Sequence, residues 1–263
     1  MHDPFASRNH YRRLMGRKDL VSFRITEKES DLHIQADTDL SLPARKELLR
    51  LRGEIRAYIG THPGFFETFD PWPEDPLAPP VIRSMIRAGR FAGVGPMAAV
   101  AGAIAEALGR KLLRRSPEVL VENGGDLFVC SGHPLTLGLY AGDSPFSGKI
   151  AFRIPASESG MGICTSSGTL GHSFSFGRAD AAVVIGPDTA MADALATAMG
   201  NGIHKAEDMD TLIEKARNIP EISAMILVKG KRLALCGDVE ILPLAPSKPP
   251  STPAGGERPT KRG

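Results

Sequence analysis

Apolar residues recur along this chain at two different spacings, and each spacing predicts its own kind of element. Alternating positions over 21–25 and 32–36 predict two strands joined by the charged turn Glu27-Lys28-Glu29-Ser30. Leu48, Leu51, Ile55 and Ile59, three and four apart, predict an amphipathic helix over 41–59, with Ser41 as N-cap and Pro43 near its first turn. Residues 61–80 contain six prolines and so form neither a regular helix nor a central strand. Phe65, Phe66, Phe69 and Trp72 in that stretch predict an ordered, packed loop. A short helix follows over 81–88, and Gly95-Pro96 opens a longer one over 97–114. Strand-like runs then dominate, at 119–122, 127–130, 135–140, 150–154, 162–165 and 181–185. Helices at 190–200 and 206–218 precede two closing strands, 224–229 and 232–236. Runs of strands interrupted by helix pairs predict an α+β fold, with helices packed on largely antiparallel sheets. The expected organisation is a single domain over 21–245, between a basic segment at 1–20 and a Pro/Gly-rich tail at 246–263 that reads as disordered.

Charge changes this picture little. The net charge is +2, but residues 1–20 and 246–263 carry +3 each, which leaves the body at −4. A basic balance confined to two tails does not describe a nucleic-acid surface. Cys130, Cys164 and Cys236 are too few and too scattered for a disulfide framework or a paired-cysteine zinc site. The N-terminus has no apolar core of a secretory signal, and the longest apolar run, 94–105, falls short of the ~20 residues a membrane helix needs. The expectation is a cytoplasmic protein with no membrane and no nucleic-acid partner. The oligomeric state is not fixed, and a homodimer stays open.

Three segments could carry chemistry. In Ala190–Gly200, Asp193 is a lone carboxylate among Ala, Met and Leu, and Thr197 lies one helical turn further on the same face. Oxygen ligands so placed suit Mg²⁺, which takes one or two protein ligands and keeps the rest for water and phosphate. The alternative is a carboxylate paired with an arginine or a backbone N–H. In the second segment, Asn123-Gly124-Gly125-Asp126 between two apolar runs is a hairpin signal, and its glycines would also let a ligand approach the backbone. The third, 162–181, gathers Cys164, Thr165, Ser166, Ser167, Gly168, Thr169, Gly171 and His172. Such a stretch can wrap phosphate with N–H and hydroxyl donors, with His172 as acid, base or ligand, or it can be a plain surface loop. Gly93-Val94-Gly95-Pro96-Met97-Ala98 matches a dinucleotide fingerprint in letters only: no apolar strand precedes it, and Pro96 removes an N–H from the turn.

In this order, the segments resemble the ApbE-type FAD:protein FMN transferases. That family has a G-x-I-A-K-G helix, N-x-G-G-D, a T-S-G strand end and A-D-A-L-A-T-A. Here stand Gly95-Pro96-Met97-Ala98-Ala99-Val100, Asn123-Gly124-Gly125-Asp126 after Glu122, Thr165-Ser166-Ser167-Gly168, and 192–198. The resemblance implies a flavin nucleotide such as FAD, and Mg²⁺, held between sheets and helices. Asp193, Thr197 and the carbonyl of Ala98 would then ligate the metal. Asn123 to Asp126 and Thr165 to Gly168 would line the nucleotide cleft. The chain departs from the pattern at Ala99, where the family has lysine, and lacks its H-I-I-D-P-x-T-G segment, for which His172 is one replacement. In these respects it looks more like an ApbE-like branch of archaea and sulfate-reducing bacteria that has been associated with sulfide assimilation and homocysteine formation. Two functions follow: a Mg²⁺-dependent FMN transferase or FAD pyrophosphatase, or a non-transferase that binds a flavin or other small ligand or handles sulfur. In the second, Cys164 would be a thiol of lowered pKa able to carry persulfide.

Overall fold

A computed structural model describes residues 17, 19–167 and 179–244. Eight strands form one antiparallel sheet in the order β1 (Val21–Glu27), β2 (Ser30–Ala36), β3 (Val119–Asn123), β4 (Asp126–Ser131), β7 (Ser157–Ser166), β8 (Ala181–Gly186), β9 (Ala224–Lys229) and β10 (Arg232–Gly237). A smaller antiparallel sheet takes β11 (Glu240–Pro243), β6 (Ile150–Ile154) and β5 (Leu135–Gly138). The helices are α1 (Ser41–Thr61), α2 (Gly64–Glu67), α3 (Pro80–Ala92), α4 (Val100–Leu112), α5 (Thr189–Asn201) and α6 (Asp208–Ala216), and a 3₁₀ turn, Pro96–Ala99, leads into α4. The fold is therefore α+β, with helices on an antiparallel sheet.

The large sheet separates two cores. Val121, Phe128, Cys164, Ala182, Val184 and Leu227 face the helices, while Leu127, Val129, Ile163, Val183, Ile226 and Val228 face the small sheet. Strands covered on both faces read as continuous apolar runs, which is why β3, β4 and β8 stand out in the sequence.

Several boundaries differ from the sequence expectation. Ser41 is the first residue of α1, not its cap; its amide donates to Asp39 Oδ1 at 2.8 Å. The proline-rich loop is ordered as expected and also contains α2. Two of its four aromatic residues pack as expected: Phe65 meets Tyr58 and Trp72 edge-on, and Tyr58 stacks on His62 at 4.3 Å, whereas Phe66 and Phe69 are exposed. β7 is ten residues long and starts well before 162, and β11 was not foreseen. Pro243 disguised β11, which is an edge strand, where proline is tolerated. Gly93, at φ 72°, ends α3 in a left-handed cap, so a helix and not a strand precedes the decoy fingerprint. Among the described residues no single helix is long and apolar enough to cross a membrane.

Candidate functional site

The start of α4, the β3–β4 hairpin, the end of β7 and helix α5 meet at one end of the central strands of the large sheet. α4 and α5 cross closely at Gly102, where a Cβ would stand 2.5 Å from the carbonyl oxygen of Thr189. Glycine is the residue that allows this approach. The two helices then bind each other's exposed amides. Asp193 Oδ2 on α5 accepts the Gly102 N–H at 2.8 Å, and its carboxylate also meets the Ala101 amide. In return, Glu106 Oε2 on α4 accepts the Thr189 N–H at 2.8 Å, and Asp188 caps α5 locally through the Met191 N–H at 2.8 Å. Arg110 and Arg87 pair with Glu106 and Asp188. The sequence raised backbone pairing as the alternative fate of Asp193, and its carboxylate does cap a helix.

The hairpin supplies the second acid. Gly124 and Gly125 adopt φ of 72° and 112°, as a tight two-residue turn between antiparallel strands demands. The turn alone accounts for both glycines. The Gly125 N–H donates to Glu122 Oε1 at 3.0 Å, and Asn123 Nδ2 donates to the Ala101 carbonyl at 3.1 Å. Asn123 thus ties the hairpin to the amide pair that Asp193 caps. Asp126 begins β4, and its Oδ1 accepts the Thr165 N–H at 3.3 Å. Cys164 lies beside it, fully buried; its thiol is within reach of the Thr189 carbonyl at 3.4 Å and also hydrogen-bonds Asp126.

Asp126, Asp193 and Cys164 therefore share one nearly dry space. Burial pushes the Asp126 carboxyl up to about 7, opposed by the Thr165 amide and the Cys164 thiol and reinforced by Glu122. Burial, and then Asp126, pushes Asp193 well above the ordinary carboxylate range, although the Gly102 and Ala101 amides pull the other way. The upward direction prevails because burial outweighs the hydrogen bonds to both groups, and at Asp193 the neighbouring acid Asp126 adds to it. Among the described residues no lysine, arginine or histidine side chain bonds to either carboxylate.

Cys164 departs from expectation. Burial, then the charges of Asp126 and Asp193, raise its thiol well above the usual range. A helix end or a cation was expected to lower it; the groups that face it are acids, so the sulfur keeps its proton and acts as a donor.

Of the other candidates, Thr197 is half-buried one turn beyond Asp193, and Ala98 is half-buried in the 3₁₀ turn that packs on α5. Thr165, Ser166 and Ser167 are half-buried at the end of β7, and a Cβ on Gly200 would stand 3.3 Å from Ser166 Oγ, which places the serine against the C-terminal turn of α5. Gly168 and His172 lie outside the described residues, as does the tail 246–263. Glu106 and the Ala101–Gly102 amides were missed. Their one sequence signal was that Glu106 is the lone acid of an Ala/Gly-rich helix.

Comparison with known proteins bears on the family and the fold. The family model described as "AbpE bacteria" matches residues 12–226. The chain belongs to the ApbE-like superfamily. A UPF0280 protein of Methanocella arvoryzae is 38% identical over 211 residues, covering 80% of this chain and 86% of that one. A UPF0280 protein of Methanocaldococcus jannaschii is 37% identical over 222 residues, covering 82% and 90%. Among solved structures, the flavin transferase ApbE from Vibrio cholerae superposes with a TM-score of 0.55 at 12% identity, covering 82% of this chain and 96% of that one. The ApbE protein of Thermotoga maritima gives 0.51 at 11% identity, with 82% and 96% covered. At such identities the shared property is the fold.

Proposed function

We propose that this ApbE-like chain binds a flavin nucleotide, or another small ligand bearing a pyrophosphate, together with Mg²⁺, at the edge formed by α5, the β3–β4 hairpin and the end of β7. The observation that carries the reading is the pair Asp126 and Asp193: two buried carboxylates whose partners are amides, a thiol and each other. Such a pair is costly unless protonated or met by a cation.

Among the described residues, no three His, Cys, Asp or Glu side chains converge as a ready-made metal cage. This donor set still fits magnesium, which uses few protein oxygens and takes the rest from water and phosphate. Asp193, with Thr197 and the Ala98 carbonyl as its companions, would hold the ion. Bound there, Mg²⁺ would neutralise phosphate charge and draw the pyrophosphate to the site. The protein's own part is positioning. Asp193 fixes the start of α4, Asn123 fixes the hairpin to it, the Thr165 amide holds Asp126, and Ser166 sets a hydroxyl against the last turn of α5.

Binding without FMN transfer is the favoured form, because Ala99 stands where the transferases carry lysine and their H-I-I-D-P-x-T-G segment is missing. The link to sulfide assimilation rests on resemblance alone, since the buried, protonated Cys164 offers no thiolate for persulfide.

The test is to mix the protein with FAD, with and without Mg²⁺, and follow melting temperature, flavin fluorescence and AMP release. A Mg²⁺-dependent rise in melting temperature with FAD and no AMP supports the reading. AMP release, with flavin retained in the protein band, moves it to the transferase class. No response to FAD at any Mg²⁺ concentration removes it.

A further inference from the structure

Among the described residues, none packs on the outer face of α1 around Leu42, Gly53 and Gly60. The inner face, Ala44, Leu48, Leu51, Ile55 and Tyr58, is buried in the helix-side core. On the outer face Leu42 is 81% exposed and Leu49 is 47% exposed, one heptad apart. Gly53 and Gly60 continue the same stripe, also one heptad apart, and the space where a side chain would stand is open at both. Glycine weakens an exposed helix relative to alanine, and at these two positions no neighbouring atom among the described residues asks for one. The stripe thus consists of two exposed knobs followed by two hollows.

The order of knobs and hollows matches an inverted copy of itself. Leu42 and Gly60 are equally far in sequence from the level of Leu51, and so are Leu49 and Gly53. Turn a second α1 antiparallel about that level, and Leu42 lies over the partner's Gly60 and Leu49 over the partner's Gly53. A two-fold axis repeats both contacts, so the surface is complementary to itself. A seven-residue spacing is also what two helices crossing at a shallow angle share. We propose that this chain forms a homodimer through α1, the two helices antiparallel and each leucine seated over a glycine. The seam runs from Leu42 to Gly60, about 27 Å at ~1.5 Å per residue.

The charges on this face bear on the partner. Arg45, Arg50 and Arg52 are taken by Glu27, by Glu47 and Glu54, and by Glu29 of the same chain. Lys46 and Arg56 fall between the leucine–glycine layers and would face each other across the axis. Their repulsion is screened by salt, so this dimer tightens as ionic strength rises, opposite to an assembly held by ion pairs.

The test is sedimentation equilibrium on the full chain at low and high salt. The expected result is a concentration-dependent mass approaching twice the 28.1 kDa of one chain, with association stronger at high salt. Gly53→Leu fills a hollow that is open in the protomer, so it should leave the circular dichroism unchanged and weaken association at least tenfold. Leu49→Cys combined with Gly53→Cys should give a covalent dimer on mild oxidation. Should Gly53→Leu fail to fold, this paired-cysteine variant decides alone: a cross-linked dimer supports the register, and its absence overturns it. A wild-type protein that stays monomeric at every concentration, or a Gly53→Leu dimer of unchanged affinity, also overturns the proposal.

Discussion

The carboxylate of Asp193, the fifth residue of α5, accepts the amide proton of Gly102, the third residue of α4, across 2.8 Å. One buried acid thus serves as the N-cap of a different helix, where the sequence-local cap of α4, Ala99, offers no side-chain oxygen. Replacement with asparagine keeps an acceptor and removes the charge; replacement with alanine removes both. Asp193→Ala should therefore lose about 1–2 kcal/mol of stability, the usual range for a lost cap, while Asp193→Asn stays within about 1 kcal/mol of wild type. Both should abolish any Mg²⁺-induced rise in melting temperature. Urea denaturation and a magnesium melting titration on the two variants check this. Equal losses in both variants would show that charge, not capping, is what Asp193 supplies.

The crossing of α4 and α5 leaves no room for a side chain at Gly102. A methyl there would stand 2.5 Å from the Thr189 carbonyl oxygen and 2.8 Å from the Asp193 Cβ. Alanine favours helix by about 1 kcal/mol over glycine, but overpacking at a rigid backbone contact costs about 1–3 kcal/mol. The second effect should win because the obstructing atoms are a carbonyl and the base of a side chain, neither of which can swing away. Gly102→Ala is expected to be less stable than wild type by denaturant titration, and to bind the proposed nucleotide more weakly.

Why some of this was readable in the sequence and some was not follows from the range of the interactions. The hairpin at Asn123–Asp126 was legible because its glycines answer a local backbone demand, the positive φ of two successive residues. Asp193 and Thr197 were legible as a pair because helical spacing alone puts them one turn apart. The exchange between Asp193 and Gly102, and between Glu106 and Thr189, joins residues 91 and 83 positions apart, and no local pattern reports it. Cys164 was misjudged for the same reason: a thiol's pKa depends on which charges fold around it, and β4 and α5 bring acids. The small sheet was only partly visible, since β11 pairs with β6 from Glu240 opposite Arg153 to Pro243 opposite Ile150, a long-range contact, and ends in a proline.

The Asp126–Asp193 pair should make stability depend on pH. Asp126 titrates at about 7 in the folded protein, above its ordinary unfolded value, so between roughly pH 4 and 7 the folded state binds more protons than the unfolded one. Stability from this group is fully present below the unfolded pKa and is lost as pH rises through 7. The loss is on the order of 4 kcal/mol at ~1.4 kcal/mol per pKa unit, with Asp193 acting in the same direction. Chemical denaturation should therefore give a larger unfolding free energy at pH 5 than at pH 8 without Mg²⁺. Asp126→Asn should flatten that slope. Millimolar Mg²⁺ should flatten it too, by favouring the ionised pair. A wild type with no such slope would mean that the two acids are better solvated than their burial implies.

Cys164 should be chemically silent while the protein is folded. It is fully buried, its thiol lies beside Asp126 and the Thr189 carbonyl, and the surrounding acids raise it further. Nucleophilic reactivity needs thiolate and access, and this site denies both. Alkylation with iodoacetamide at pH 8, followed by peptide mass analysis, should leave Cys164 unmodified in native protein and modify it in urea. The same contrast should persist in Asp126→Asn, because burial is the first cause of the raised pKa and that variant leaves it in place. Cys164→Ser keeps a donor in similar volume but buries a more strongly polar hydroxyl, and Cys164→Ala leaves Asp126 short of a hydrogen bond. The serine variant should therefore stay closer to wild type in stability provided its hydroxyl donates to Asp126, with alanine lower by about 1 kcal/mol. Rapid native-state labelling of Cys164 would instead restore a reactive sulfur to this site, and with it the sulfur-handling role that the buried geometry argues against.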